Sequence, residues 1–199
     1  MNAEHNEQEI FSSSDEEFNT IYPLKIQKLS SRHWTPIKVA KRAAAFLAEQ
    51  KDARILDIGS GVGKFCMVAA ITSEGHFTGV EQREALVRLS NKISRRFQIP
   101  RVEFILADIR SIDFKDYNAF YFFNSFEENR DLTDSIDEDT RYDPSLYETN
   151  NQYLYKQFDS LPMGTRIVTY CTLPDIIPEA YVKIRSEIKG KLNFWIKRH

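Results

Sequence analysis

Three acidic side chains stand at the ends of apolar runs in this chain. Asp57 follows RIL, Glu81 follows HFTGV, and Asp108 follows VEFILA. An amide, Asn124, follows a fourth run, AFYFF. Just beyond Asp57 lies Ile58-Gly59-Ser60-Gly61-Val62-Gly63-Lys64. Glycines here let the backbone turn sharply and approach a ligand without Cβ clashes. A helix starting at Lys64 would aim its free N–H groups at the same ligand. The chemistry this pattern offers is capture of a small polar molecule above strand ends, with carboxylates that can each accept from two O–H groups.

Several ligands compete for such a turn. A phosphate loop needs GxxxxGK[ST]; here the spacing is short, and Phe65 stands where a hydroxyl would hold magnesium. A dinucleotide fingerprint needs GxGxxG, and GxGxG is one residue short. A turn that holds no ligand is the plain alternative. For the single acids the bland readings are a surface acid at Glu81 and a turn cap at Asp108.

LDIGSGVGKF resembles the first motif of the class I S-adenosylmethionine (SAM) dependent methyltransferases, D/E-x-G-x-G-x-G after the first strand. The resemblance covers roughly residues 35–199 and implies SAM as cofactor. It lays Asp57 and the loop of Gly59, Ser60, Gly61 and Gly63 along the methionine part. It gives the ribose hydroxyls to Glu81, 18 residues after Gly63, with Gln82 beside it. Asp108 and the N–H of Ile109 would line the adenine. The family often lays a lid across SAM before its first helix, which brings Thr35, after His33 and Trp34, to the site. His33 is a candidate base, although an exposed loop histidine is the plainer reading.

The acceptor is written less clearly. In this family the segment after the fourth strand faces the transferred methyl, which makes Asn124 and Glu127 the candidate catalytic residues, with Asn124 also touching the cofactor and Glu128 close by. The [DNS]-P-P-[YFW] motif of base and glutamine N-methyltransferases is represented only by Asn124, since NSFE lacks both prolines. GSGVGK, GVEQ and FFNSF also show a weak similarity to non-SET protein-lysine methyltransferases. Residues 127–148 carry nine acids and two Arg, which would suit a Lys-rich protein, though a solvated loop explains them too. This acidity disfavours a nucleic-acid acceptor, despite a basic stripe at Lys183, Arg185, Lys189, Lys191, Lys197 and Arg198. The acceptor thus stays open, with a protein amine slightly ahead of a small metabolite or nucleic acid, and a non-catalytic SAM-binding module as a further alternative. Trp34, Phe126, Tyr142, Tyr147 and Tyr153 are aromatics near the expected mouth, of which Phe126 and Tyr153 read better as core.

These groups need a scaffold of alternating strands and helices. Thr35-Pro36 suits a helix start, with Thr as N-cap and Pro in the first turn, and Val39, Ala43, Phe46 and Leu47 form one stripe of a helix over 36–49. Strands are expected at 54–57, 76–80, 102–107, 119–123 and 166–172, with helices at 64–73, 83–97 and 147–161. Alternation on both sides of Lys189-Gly190 signals a hairpin of strands 181–188 and 191–197. The expected fold is a doubly wound α/β sheet of seven mostly parallel strands, with a C-terminal antiparallel hairpin and an N-terminal helical extension. Residues 1–34 read as an acidic tail and extension or lid, of which 1–19 would be mobile or loosely attached. Residues 35–199 read as the methyltransferase domain, with 124–161 as an acidic insertion.

A chain of 199 residues, 42% hydrophobic and 28% charged, suits one globular core. No apolar run approaches a membrane span, and the acidic N-terminus lacks a secretory h-region. Cys66 and Cys171 have no CxxC spacing, so no metal site is expected, and reduced, buried thiols in a cytoplasmic protein are.

Overall fold

The computed structural model describes residues 9–28, 30, 34–123, 144–172 and 174–199. After Pro36 comes a helix at Ile37–Leu47. The chain then alternates β1 (Arg54–Ile58), a helix at Lys64–Thr72, β2 (His76–Glu81), a helix at Glu84–Arg96, β3 (Val102–Leu106) and β4 (Ala119–Phe122). A helix at Pro144–Ser160 leads to β5 (Arg166–Tyr170), β6 (Tyr181–Glu187) and β7 (Leu192–Lys197). The sheet order is β3-β2-β1-β4-β5-β7-β6. The pairs among β1 to β5 are parallel, and β7 runs antiparallel between β5 and β6. The seven-stranded sheet with its terminal hairpin is as expected.

The central strands are mostly apolar because helices cover both faces. Along β4, Tyr121 faces one core with Ile55, Phe65 and Val168, while Phe120 and Phe122 face a second with Leu56, Phe158 and Ile167. The strand order reverses between β1 and β4, so a crevice opens above their C-terminal ends. Asp57 lies in register with Gly79 of β2 and Tyr121 of β4.

The N-terminal segment differs from its expected mobility. Residues 1–8 lie outside the described residues, but Glu9–Ser12 and Asp15–Asn19 are short helices packed on the first core. Phe11 and Phe18 are fully buried and Tyr22 nearly so. Phe11 meets Phe18 and Phe97 edge-on, at 5.4 and 5.3 Å between centroids. Burying each phenylalanine contributes about 1.5–3 kcal/mol, enough to fix a polar segment with few other apolar anchors.

The first domain helix is also capped differently. The N-cap position is Pro36, and the Ile37 N–H donates to Asp15 Oδ1 at 2.9 Å. Thr35 instead shares a 2.9 Å hydrogen bond with the Tyr121 hydroxyl. A carboxylate from a distant segment thus takes the capping role, and its charge complements the helix dipole.

Of the thiols, Cys66 is buried and Cys171 only half-buried. Cys171 takes φ 50°, a left-handed conformation that ends β5 before the expected boundary at 172. The hairpin turns through Ile188, Lys189 and Gly190, all at positive φ, so its strands stop at Glu187 and resume at Leu192. No helix among the described residues is long and apolar enough to cross a membrane.

Candidate active site

The glycine-rich turn is tied to the neighbouring strand. The N–H groups of Gly59 and Ser60 both donate to the Val80 carbonyl at 2.9 Å. Gly63, at φ 78°, opens the helix Lys64–Thr72, and a Cβ there would stand 2.5 Å from the Phe104 ring. Gly61, at φ 54°, faces open space, since a Cβ on it would meet nothing within 4 Å. The turn is therefore packed hard on one side and bare on the other, which leaves its backbone accessible to a ligand.

Asp57 and Glu81 flank this bare side and are 4% and 3% exposed. Asp57 Oδ2 accepts from the Cys66 thiol at 3.3 Å. Burial pushes the Asp57 carboxyl up to about 7, with the Cys66 hydrogen bond opposing and the Glu81 charge adding. Glu81 is better supplied. Its Oε2 accepts from the Gly61 N–H at 3.0 Å, and its Oε1 from the N–H and Nε of Arg83 at 3.0 and 2.8 Å.

A small cleft of about 30 Å³ lies above the strand ends, walled by Trp34, Thr35, Asp57, Ser60, Tyr121 and Phe123 among others. Tyr121 stacks on Phe65 at 3.7 Å, and burial lifts its phenol well above the ordinary value. It is a neutral hydrogen-bonding wall of the cleft. The Ser60 hydroxyl is buried with no hydrogen-bond partner among the described residues.

Lys64, the next residue in the motif, is 3% exposed. Its Nζ donates to Asp15 Oδ1 at 2.5 Å and Asn19 Oδ1 at 3.1 Å, and lies 4.9 Å from the centre of the Phe18 ring. Burial lowers its pKa, and Asp15 works against that. The Tyr22 hydroxyl donates to the Val62 carbonyl at 3.0 Å. The N-terminal segment thus grips the glycine-rich turn from outside.

The expected site residues divide. Thr35, Asp57, Gly59 and Ser60 line the cleft, while Glu81 is joined to Gly61 beside it and Gly63 opens the next helix. Gln82 is exposed just past β2. Asp108 is exposed and caps the short helix Ile109–Ser111; its Oδ1 accepts from the Arg110 N–H at 2.9 Å and from Nε at 3.0 Å. These hydrogen bonds hold its carboxyl below the usual range. The Ile109 side chain is buried. Tyr153 packs on the second core, as expected for a structural aromatic. His33, Asn124, Phe126, Glu127, Glu128 and Tyr142 lie outside the described residues, as does the side chain of Tyr147. Sequence reasoning missed Arg83, Asp15 and Tyr121. Only the Phe11, Phe18, Tyr22 spacing, seven then four residues, carried a signal for the segment that brings Asp15.

Residues 49–140 match the methyltransferase-domain family. Among solved structures, an RNA methyltransferase from Salinibacter ruber in complex with S-adenosyl-L-homocysteine is 22% identical with a TM-score of 0.57, covering 83% of this chain and 94% of that one. A precorrin-6y C5,15-methyltransferase from Geobacter metallireducens GS-15 is 13% identical with a TM-score of 0.54, over 84% and 92% of the two chains. The putative methyltransferase yhhF from Escherichia coli is 16% identical with a TM-score of 0.56, over 81% and 86%. No curated protein matches the chain. At these identities the solved structures establish the fold. The residues present are compatible with SAM: Gly61 has open space where a side chain would stand, and Ser60 has an unsatisfied buried hydroxyl. The methyltransferase-domain match over residues 49–140, the sheet order and this turn are together those of a class I methyltransferase fold.

Proposed function

We propose that the chain methylates an amine nitrogen on a protein, with SAM held over the strand ends by Glu81, Asp57 and the turn from Gly59 to Gly63. SAM supplies an electrophilic methyl on a sulfonium, and methyl transfer is an in-line displacement in which the enzyme mainly positions the groups and excludes water. Glu81 accepts the ribose hydroxyls, Asp57 lies along the methionine part with Thr35 and Ser60, and Gln82, Asp108 and Ile109 border the adenine. Trp34, Tyr121 and Phe123 wall the cleft where the methyl is exposed. Asn124 orients the acceptor amine through its side-chain amide, and Glu127 takes its proton.

The donor part rests on one observation, the Glu81 carboxylate joined to the Gly61 N–H across the bare side of the turn. The acceptor part rests on the nine acids of residues 127–148, which complement a Lys-rich partner. The basic stripe of the hairpin does not share in this support, because five of its six residues, all but Lys197, are exposed. Lys183 lies over the Trp195 ring and Arg185 over Phe194, while Lys197 is buried and donates to the Asp159 carbonyl. An RNA acceptor is the second reading, favoured by the likeness in fold to the Salinibacter ruber RNA methyltransferase.

Incubation with methyl-labelled SAM and a fractionated cell extract tests the acceptor. Label in a protein band, recovered as N-methylated lysine after hydrolysis, is expected. Label confined to RNA would replace this reading with the second, and label only in small molecules would overturn both.

A further inference from the structure

The ribose end of this site is already full. A carboxylate offers about four acceptor positions on its two oxygens, and all four of Glu81's are taken. Oε1 accepts from the backbone N–H of Arg83 at 3.0 Å and from its Nε at 2.8 Å. Oε2 accepts from the Gly61 N–H at 3.0 Å and from Arg83 Nη2 at 3.1 Å. Two of these donors are backbone, fixed by the glycine-rich turn and by the start of the helix Glu84–Arg96. The other two belong to one guanidinium, which sends one donor to each oxygen. A vicinal diol makes the same pattern on a carboxylate, with two donors from one group and one to each oxygen.

We propose that Arg83 is a built-in competitor for the ribose diol of SAM, closing Glu81 in the free chain and withdrawing as the nucleoside docks. This rests on the reading of Glu81 as the ribose acceptor. The movement needed is small. Arg83 is the N-cap residue of its helix, so its backbone stays and only the side chain, 18% exposed, rotates outward. The Gly61 and Arg83 N–H groups keep the carboxylate aimed while the diol replaces the guanidinium donor for donor. Glu81, 3% exposed, thus has a full set of donors before and after, and no buried charge is left unsatisfied. The cost is an affinity discount, because SAM binds only the fraction of molecules in which Arg83 has let go. Arginine suits the role better than lysine, since its planar fork reaches both oxygens at once.

Calorimetric titration with SAM tests this on the full chain and on Arg83→Ala, Arg83→Lys, Glu81→Ala and the Arg83→Ala/Glu81→Ala double variant, all at one pH. Arg83→Ala should bind SAM about tenfold tighter than wild type, Arg83→Lys should fall between, and the gain should vanish when Glu81 is also replaced. The Lys variant decides the matter if the Ala variant does not fold, as judged by its unfolding transition. Arg83 variants that bind SAM no tighter than wild type, while Glu81→Ala binds more weakly, would overturn the competitor role and leave the donor site standing. A gain that persists in the double variant would overturn it too. Absence of SAM binding in wild type would overturn the donor reading and the competitor with it.

Discussion

Asp57 and Glu81 end adjacent parallel strands and are buried to nearly the same degree, yet they are solvated by different means. Around Glu81 stand N–H donors, two from backbone and two from a guanidinium. Asp57 has the Cys66 thiol, a weak donor, and the neighbouring Glu81 charge. The consequence is a proton: burial pushes Asp57 up to about 7. A third strand-end acid, Asp108, is exposed and held low by Arg110. Equal positions in the fold therefore have three different sets of hydrogen-bond partners. An acid with strong donors is ready to exchange them for a ligand's, and an acid with only a thiol donor keeps its proton to higher pH.

The largest effect should come from Glu81→Ala. Two hydrogen bonds to a charged group, at about 1.5–3 kcal/mol each, correspond to roughly a hundredfold or greater loss of SAM affinity. Calorimetry measures it, and an unchanged affinity would remove Glu81 from the ribose.

Asp57→Asn sharpens the contrast through pH. The Asp57 pKa rises from 3.8 to about 7 on folding, so in this window the folded chain keeps a proton that the unfolded chain releases. Its contribution to stability is fully present below 3.8 and is lost as pH rises through about 7. The stability of wild type relative to Asp57→Asn should therefore decline across that window, by an amount on the order of a few kcal/mol. Urea unfolding at a series of pH values reads it. A difference that stays flat would mean that the folded chain already holds Asp57 ionised.

Cys66→Ala removes the hydrogen-bond donor that opposes this shift, so the Asp57 window should move to higher pH, with a stability loss of about 1 kcal/mol. The same unfolding series would show a window that stays put if the thiol were only a filler. Smallest is Asp108→Asn, expected to change stability by no more than about 0.5 kcal/mol, because the group is exposed and its ion pair screened. A loss like that at Asp57 would show that exposure does not separate these acids.

The sequence was most readable where local pattern and fold agree. Apolar runs and glycines located β1, its turn and the acids beyond, because a parallel sheet demands continuous apolar strands and the turn tolerates only glycine beside Phe104. The hairpin was readable for the same reason. Long-range partners were not. Nothing local in Ser14-Asp15-Glu16 says that Asp15 will cap a helix 22 residues away and meet Lys64. Thr35-Pro36 looked like a self-sufficient helix start, but tertiary packing gave the threonine to Tyr121. Arg83 two residues past Glu81 is ordinary in a sequence, and its grip appears only when the chain turns into the next helix.

Titration of the wild-type chain with SAM tests the central claim most directly. Saturable binding of a single SAM per chain, tightening as pH rises through the Asp57 value of about 7, is the predicted result. No saturable binding at millimolar SAM would contradict it.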